Sequence, residues 1–590
     1  MSITRQLKEI VSKSINNLYG LTTDPEEVTV NGTKPEFEGD YTIVLFSYTK
    51  PTRKSPEQLG NELGNYLLEH HAENIAAFNV IKGFLNLSIK DAYWLGFLQE
   101  SFHNPSFGKG QRMNKKVMVE YSSPNTNKPL HLGHLRNNFL GWSIGAILNG
   151  VGYDVTKTCI VNDRGVHICK SMIAWQMFAN GKTPDIKGDH FVGDYYVKFN
   201  DEYKRQVKEL VEEGKTNEEA EKEAPIMKAT QQMLQDWEAG DPAVMDLWKR
   251  MNGWVYEGFD ATYKMIGSDF DKTYYESNTY LLGKDLVEEG LKKKVFYQQE
   301  DGSVWIDLTA DGLDEKLVRR KDGTSVYITQ DIGLAEQKQK EFGAEKSIYV
   351  VGDEQNYHFK VLKLICEKLQ LPSAEGIYHL SYGMVELPTG KMKSREGTVV
   401  DADDLVAEMI SIAAAKTEEL GKVKDFTPEE LNHLNKMIGL GALKFFLLRV
   451  DPKKKMIFNP EESIDFHGFT GPFIQYTHAR IKSILRKFTL DKNVDISAAA
   501  PLLPLEKQLI IHIEQFAAVI AESAIDYDPS KLAVYVFNLA KLFNSLYAEH
   551  SIGNAENEDK KNLRLKLAEM TATVIKTSME MLGIEVPERM

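Results

Sequence analysis

His131 and His134 stand three residues apart in Tyr121-Ser-Ser-Pro-Asn-Thr-Asn-Lys-Pro-Leu-His-Leu-Gly-His-Leu-Arg136. The stretch follows a short apolar run, Lys116-Val-Met-Val-Glu-Tyr121. It leads into Leu135, Phe139, Leu140, Ile144, Ile147 and Leu148 at helical spacing, stopped by Asn149-Gly150. A strand, a turn carrying Pro124 and Pro129, and a helix opening near Leu130 form the first half of a βαβ unit. Ligand phosphates bind there because the helix N-terminus offers free N–H groups and partial positive charge. The two imidazoles, on one face of the first turn, can donate hydrogen bonds to a triphosphate. Gly133 between them lets a flat group approach the backbone. Alone, a His-x-x-His pair is more often two surface histidines. Zinc would need a third or fourth ligand, and none follows at a usual spacing.

A second stretch shifts the balance. Gly383-Met-Val-Glu-Leu-Pro-Thr-Gly-Lys-Met-Lys-Ser-Arg-Glu-Gly397 carries three cations within five positions, bracketed by Gly390 and Gly397. Pro-Thr-Gly is a good turn, so a solvated hairpin is one reading; a loop whose cations close over phosphate is the other. Together the two stretches resemble the HIGH and KMSKS signatures of class I aminoacyl-tRNA synthetases. Their wording, Ser-Pro-Asn-Thr-Asn-Lys-Pro-Leu-His-Leu-Gly-His-Leu-Arg with Lys-Met-Lys-Ser-Arg-Glu-Gly, is similar to the arginyl-tRNA synthetases in particular, and the resemblance runs over essentially the whole chain.

The remaining sequence must supply the elements that hold these residues. Its 590 residues suffice for several domains, and 42% hydrophobic with 26% charged residues is ordinary for a folded protein. Cys159, Cys169 and Cys366 have no disulfide-frame spacing, which fits a reducing compartment. No signal-peptide core opens the chain and no apolar run is long enough for a membrane span, so a cytoplasmic protein without a membrane partner is expected. The net charge of −14 argues against a generic nucleic-acid coat, not against a local basic surface. Lys453-Lys-Lys455 is one such surface. Arg480, Lys482, Arg486 and Lys487, in an acid-free stretch from 471 to 490, make another.

Residues 1–20 read as an amphipathic helix, Tyr41–Tyr48 and Leu85–Ile89 as strands, and Ser55-Pro-Glu-Gln58 as a capping-box helix start. Val155–Val161, Ser325–Asp331 and Ser347–Asp353 read as buried parallel strands, the last two ending in polar residues where open α/β sheets place ligands. Between them lies a helical insertion of roughly 180–265, with Trp237, Trp248 and Trp254 as its expected core. After the cationic loop the pattern is helical to the end, with starts at Asp401 and Thr427-Pro-Glu-Glu430. The expected organisation is α/β: an N-terminal α+β module over 1–108 and a parallel-sheet unit over 109–400 with the inserted helical segment. A helical connection over 401–458 and an all-α bundle over 459–590 complete it.

The resemblance implies the rest. The 109–400 unit is Rossmann-like and catalytic, the 1–108 module touches the outer corner of tRNA, and the 459–590 bundle binds the anticodon. The activity implied is arginine–tRNA ligase, with ATP, L-arginine and tRNA(Arg) as partners, Mg²⁺ arriving with ATP, no dedicated protein metal site, and a monomer. ATP falls to Lys128, His131, Gly133, His134 and Met392. Catalytic charge falls to the histidines and to Lys128, Lys391, Lys393 and Arg395. The usual second loop lysine is replaced at Ser394, and in the family a lysine just ahead of the HIGH motif compensates, here Lys128. Arginine falls to Glu120 and Asn125 at its amino-acid end, and to Tyr327, Asp331 and Gln355 at its guanidinium and stem. Anticodon contacts fall to Tyr476, Arg480, Tyr547 and Met590, and adenylate formation is expected to require bound tRNA.

Rival readings predict other residues. A cysteinyl enzyme would show zinc-spaced cysteines, and a glutamyl or glutaminyl enzyme a basic pocket where Glu120 and Asp331 stand. A non-catalytic RNA-binding descendant would have lost the histidines or the loop cations. A smaller nucleotidyltransferase would have no use for the helical tail. A site matched to a charged fork also rejects neutral analogues by roughly 10⁴-fold without editing, so the insertion is read as a tRNA-end contact or packing element.

Overall fold

The computed structural model of the protein describes residues 2–34, 36–388, 400–419, 421 and 425–590. Lys391, Met392, Lys393 and Arg395 lie outside the described residues.

The N-terminal module is a four-stranded antiparallel sheet, in the order Val30–Gly32, Tyr41–Val44, Phe84–Ile89, Ile75–Ile81, backed by the helices Ile3–Tyr19 and Pro56–His70. Ser55 and Gln58 form the expected reciprocal cap, each accepting a backbone N–H at the helix start. The expected strand over Tyr41–Tyr48 is cut short. Val44 pairs with Phe84, the first residue of its partner, and beyond it the hairpin turn Lys82-Gly83 leaves nothing to pair with. The chain enters the helix Phe46–Thr52 instead.

Five parallel strands form the central sheet in the order Ile377–Tyr382, Lys346–Gly352, Lys116–Glu120, Asp154–Val161, Lys272–Tyr275. Strand order reverses on either side of Lys116–Glu120. The carboxyl ends there form the switch-point crevice where open α/β sheets bind ligands. The helix Leu132–Gly150 starts from this crevice and packs so closely on the strand end that a Cβ on Gly141 would sit 2.3 Å from Tyr121.

The helices Gly188–Glu212, Asn217–Glu223, Pro225–Ala239 and Pro242–Ile266 occupy the crossover between the fourth and fifth strands of that order. Trp237 is buried and meets Trp248 edge-on at 5.6 Å, while Trp254 packs on Trp175 and Phe191.

The expected strand over Ser325–Asp331 is overturned. Tyr327–Phe342 is a helix, entered from extended Val326 and ended by Gly343 in the left-handed region. Ile328, Ile332 and Ala335 recur at i, i+4 and i+7 and enter one core cluster, so the apolar residues serve a helical face rather than a pleat. A small antiparallel sheet, Tyr297–Gln298, Val304–Ile306 and Lys316–Arg319, precedes it.

Past the described gap, Asp401 caps the helix Ala402–Glu419, accepting from the N–H groups of Asp403 and Asp404. Thr427 and Glu430 cap Pro428–Leu448 reciprocally. The connection is not wholly helical, because Met456–Ile457 pairs in parallel with Val385–Glu386. The C-terminal bundle comprises Gly471–Lys487, Pro504–Glu514, Phe516–Asp526, Pro529–Glu549 and Glu558–Met581, with Val536, Leu539, Phe543 and Leu546 fully buried inside. No single helix among the described residues is long and apolar enough to cross a membrane.

Candidate active site

His131 is the N-cap of the Leu132–Gly150 helix, and its Nδ1 accepts the Gly133 N–H at 3.1 Å. The His131 N–H in turn donates to His134 Nδ1 at 3.2 Å. The motif is therefore its own capping box, built from imidazoles where a serine and a glutamate more commonly serve. Burial, aided by the nearby Lys128 ammonium, lowers the His131 pKa to about 3. Burial, then His131 and Lys128, pushes His134 well below its ordinary value. Both rings are neutral at neutral pH. With each Nδ1 spent as an acceptor, the ring proton sits on Nε2. The pair, with ring centroids 3.9 Å apart, offers two N–H donors.

The turn is fastened from several sides. Leu132 N–H bonds the Val400 carbonyl at 3.1 Å and Ala402 N–H bonds the Leu130 carbonyl at 3.0 Å, so the residues following the cationic stretch pair with the histidine turn. Buried Arg136 donates to the carbonyls of Met384, Pro452 and Lys454, joining the preceding segment to the same helix. Asn137 accepts from Ser122 N–H at 2.6 Å and donates to the Val350 carbonyl at 2.7 Å, tying the helix across two strands. The insertion covers Lys128: a Cβ on Gly193 would press on Pro129 at 2.9 Å and Lys128 Cα at 3.6 Å. Burial lowers the Lys128 pKa.

Beside this corner opens a cavity of about 1150 Å³ at the carboxyl ends of the strands. Its walls include Asn125, Tyr327, Asp331 and Gln355, so four of the five residues assigned to arginine come together. The Asn125–Asn162 bridge, continuing the sheet beyond its strands, fixes one wall. Tyr327 is 71% exposed at the start of its helix, its ring free to contact a ligand. Asp331 lies one turn further on, where its carboxylate meets His358 Nε2 at 2.6 Å.

Glu120 does not line this cavity. It is buried, and its carboxylate accepts from the ammonium of Lys338 and from Thr158 Oγ1 at 3.3 Å. Lys338, itself 2% exposed, faces the rings of Tyr274 and Tyr349 at 5.2 and 5.1 Å.

The cavity also holds groups that sequence reading passed over: Glu276, His358 and Arg164. Glu276 follows the strand Lys272–Tyr275, so it is a strand-end acid of the kind singled out elsewhere; the short run Lys-Thr-Tyr-Tyr-Glu was not read as a strand. Burial raises its pKa to about 7; Arg164 opposes the rise, and Asp163 and Asp331 add to it. Asp163 accepts from Ser277 N–H and Oγ at 2.8 and 2.7 Å and from Tyr256 OH at 2.8 Å, which fixes the turn carrying Glu276. Arg164 is held by Glu238 at 2.7 Å and lies 4.0 Å over the Tyr280 ring. With Glu238, Glu276, Asp322 and Asp331 against Arg164, Lys284 and Arg320, the lining has one more acid than base, and its amide side chains and tyrosine add acceptors for a cation with several donors.

Among the described residues, one group of three metal-type ligands lies close together: Asp189, His190 and Asp403. The Lys187 ammonium already stands among them, 2.6 Å from Asp403 and 3.0 Å from Asp189. Although burial pushes the Asp403 carboxyl up, bonds from His190, Lys187 and Thr262 hold it down at about 2. The cluster is neutralised from within and does not fit a dedicated metal cage.

The four residues assigned to the anticodon, Tyr476, Arg480, Tyr547 and Met590, line one cavity of about 950 Å³ in the C-terminal bundle. Arg480 lies 4.8 Å from the Tyr476 ring centre and 5.3 Å from that of Tyr547. Tyr547 is 43% exposed, so its ring belongs to the surface and not to the core. Arg486, Lys487 and Arg589 join Arg480, and the described lining carries no acidic side chain.

A parallel sheet with a histidine turn at its switch point, followed by a helical bundle, is the plan of a class I aminoacyl-tRNA synthetase. The family of tRNA synthetases class I (R), catalytic domain, matches residues 99–459. The arginyl tRNA synthetase N terminal domain matches 5–89, and the DALR anticodon binding domain 474–590. Arginine–tRNA ligase of Flavobacterium psychrophilum is 53% identical over 606 residues, and that of Bacteroides thetaiotaomicron 52% over 598, each alignment covering both chains completely. The arginyl-tRNA synthetase of Thermus thermophilus shares the fold with a TM-score of 0.78 at 24% identity, covering both chains completely. That of Plasmodium falciparum gives 0.79 at 18%, covering all of this chain and 99% of the other. The chain belongs to the arginyl-tRNA synthetases.

Proposed function

We propose that this chain activates L-arginine with ATP in the cavity between Asp331 and the histidine turn, then transfers it to the 3′-terminal ribose of tRNA(Arg). A carboxylate oxygen of arginine attacks the α-phosphorus, the bond to pyrophosphate breaks, and arginyl-adenylate remains. A ribose hydroxyl then attacks the arginyl carbonyl and AMP leaves. Neither step needs a protein nucleophile; positioning and stabilisation of charge on phosphate oxygens are the enzyme's task.

The observation that carries this reading is that a cavity lined by Asp331 and Glu276 and a paired N–H donor turn both stand at the carboxyl ends of one parallel sheet. His131 and His134 donate from Nε2 to the phosphates, with Gly133 beneath the adenosine. Lys128 is the main transition-state cation, joined by Lys391, Lys393 and Arg395, with Met392 against ATP. Asp331, Tyr327 and Gln355, to which we add Glu276, receive the guanidinium and its stem. Asn125 holds the amino-acid end. Glu120 is assigned to the same end by the family resemblance, although its carboxylate is held by Lys338 and Thr158 outside the cavity lining. Mg²⁺ enters as the counter-ion of ATP, since hard cations with few protein ligands ride on substrate phosphates. Tyr476, Arg480, Tyr547 and Met590 hold unpaired anticodon bases by stacking and backbone contact.

Activation waits for bound tRNA, the enzyme works as a monomer in the cytoplasm, and its functional units are 1–108, 109–400, 401–458 and 459–590. Charging of bulk tRNA with each labelled amino acid tests the assignment. Arginine alone should be incorporated; charging with another amino acid, or with none by folded protein, overturns it.

A further inference from the structure

His358 stands against the carboxylate that the proposed reading gives to the guanidinium. Its Nε2 lies 2.6 Å from Asp331 Oδ2, it lines the same cavity, and it sits in the first turn of the helix Asn356–Lys368. Phe359 beside it stacks on His379 at 4.3 Å, and His379 is bonded to the Val351 carbonyl at 3.0 Å, so the start of this helix is fixed to two strands. An N–H donor at that distance decides which way the carboxylate turns: one oxygen is engaged, and the other is left for the cavity.

We propose that His358 is a positioning residue for arginine selection. Its N–H holds one oxygen of Asp331 and keeps the carboxylate oriented toward the guanidinium. The inference rests on the assignment of Asp331 to arginine. The same cavity carries Glu238, Glu276 and Asp322 and the cations Arg164, Lys284 and Arg320.

The test uses the full-length enzyme charging tRNA with labelled arginine, at saturating ATP and tRNA, at pH 8. His358→Phe removes the donor and should raise the arginine KM about tenfold, the scale of one lost hydrogen bond to a charged group, with the ATP KM unmoved. His358→Gln, which keeps an N–H donor, should restore it. An unchanged arginine KM in His358→Phe, a loss that falls equally on ATP and arginine, or no rescue by His358→Gln overturns the inference. Asp331→Asn separates the two levels. An unchanged arginine KM there sinks the Asp331 assignment itself, whereas a raised KM there with an unchanged KM in His358→Phe sinks the role of His358 alone.

Discussion

Glu276 makes arginine binding a proton-linked event, and the size of the linkage follows from its position. Burial raises its pKa to about 7 in the empty site, so close to half of the molecules carry a proton there at neutral pH. A guanidinium entering the cavity favours the ionised carboxylate and expels that proton. Affinity therefore falls with acidity by the factor 1 + 10^(pKa − pH), which is about 2 at pH 7 and about 11 at pH 6 for a pKa of about 7. From pH 7 to 6 the Glu276 contribution weakens arginine binding about fivefold, and above pH 8 it is constant. The assay is calorimetric titration of arginine at pH 7 in buffers of different ionisation enthalpy. Proton release by the parent should exceed that of Glu276→Gln by about half a proton per arginine. At pH 8 the same variant should bind about 10- to 150-fold more weakly, as expected for losing a hydrogen bond to a charged group worth ~1.5–3 kcal/mol. Equal proton release by the two proteins would contradict both the placement of the guanidinium at Glu276 and the carboxyl's raised pKa.

Lys128→Ala should slow arginine-dependent ATP–pyrophosphate exchange by about 10²- to 10³-fold, the scale of a lost transition-state donor; near-parental turnover removes Lys128 from the reaction. Tyr547→Ala should raise the tRNA KM about tenfold or more, as one lost base stack would, with the arginine KM unchanged, and an unaltered tRNA KM would return this tyrosine to the scaffold. In the C-terminal bundle, fully buried Glu506 pairs with Lys560 at 2.6 Å and Arg564 at 2.8 Å. Glu506→Ala leaves buried Lys560 with only the Pro501 carbonyl and Arg564 with Glu556 and the Ser551 carbonyl, and should cost about 3 kcal/mol in urea unfolding followed by circular dichroism, whereas a loss below about 1 kcal/mol would refute the pairing.

The parts of this molecule decided by local pattern were legible before the fold was known. Ser55-Pro-Glu-Gln58 and Thr427-Pro-Glu-Glu430 are caps in the structure because capping is settled within one turn. The strands Lys116–Glu120 and Lys346–Gly352 are largely apolar runs buried on both faces, the signature of a parallel sheet, and Asp154–Val161 is buried toward its carboxyl end. Ser325–Asp331 misled because Val326, Tyr327, Ile328 and Thr329 favour strands and the run is too short to show its period; only the continuation through Ile332 and Ala335 selects the helix.

In the site, the histidine turn was readable as a phosphate corner. Its tautomers were not, because they depend on which N–H each Nδ1 accepts. Glu120 was readable as a strand-end acid. Its partner Lys338 lies 218 residues away, and no local rule points to it. His358 and Asp331 likewise meet across 27 residues and two helices. Pairings of this kind belong to the packing, and the fold had to be known to find them.

The central claim is that the cavity lined by Asp331 and Glu276 and the histidine turn together form an arginine-activating site that awaits tRNA. Pyrophosphate exchange into ATP, measured with each amino acid in the presence and absence of bulk tRNA, tests it most directly. Exchange with arginine alone, and only when tRNA is present, is the predicted result. Exchange with arginine in the absence of tRNA would contradict the gating, and no exchange with any amino acid by folded enzyme in the presence of tRNA would contradict the site itself.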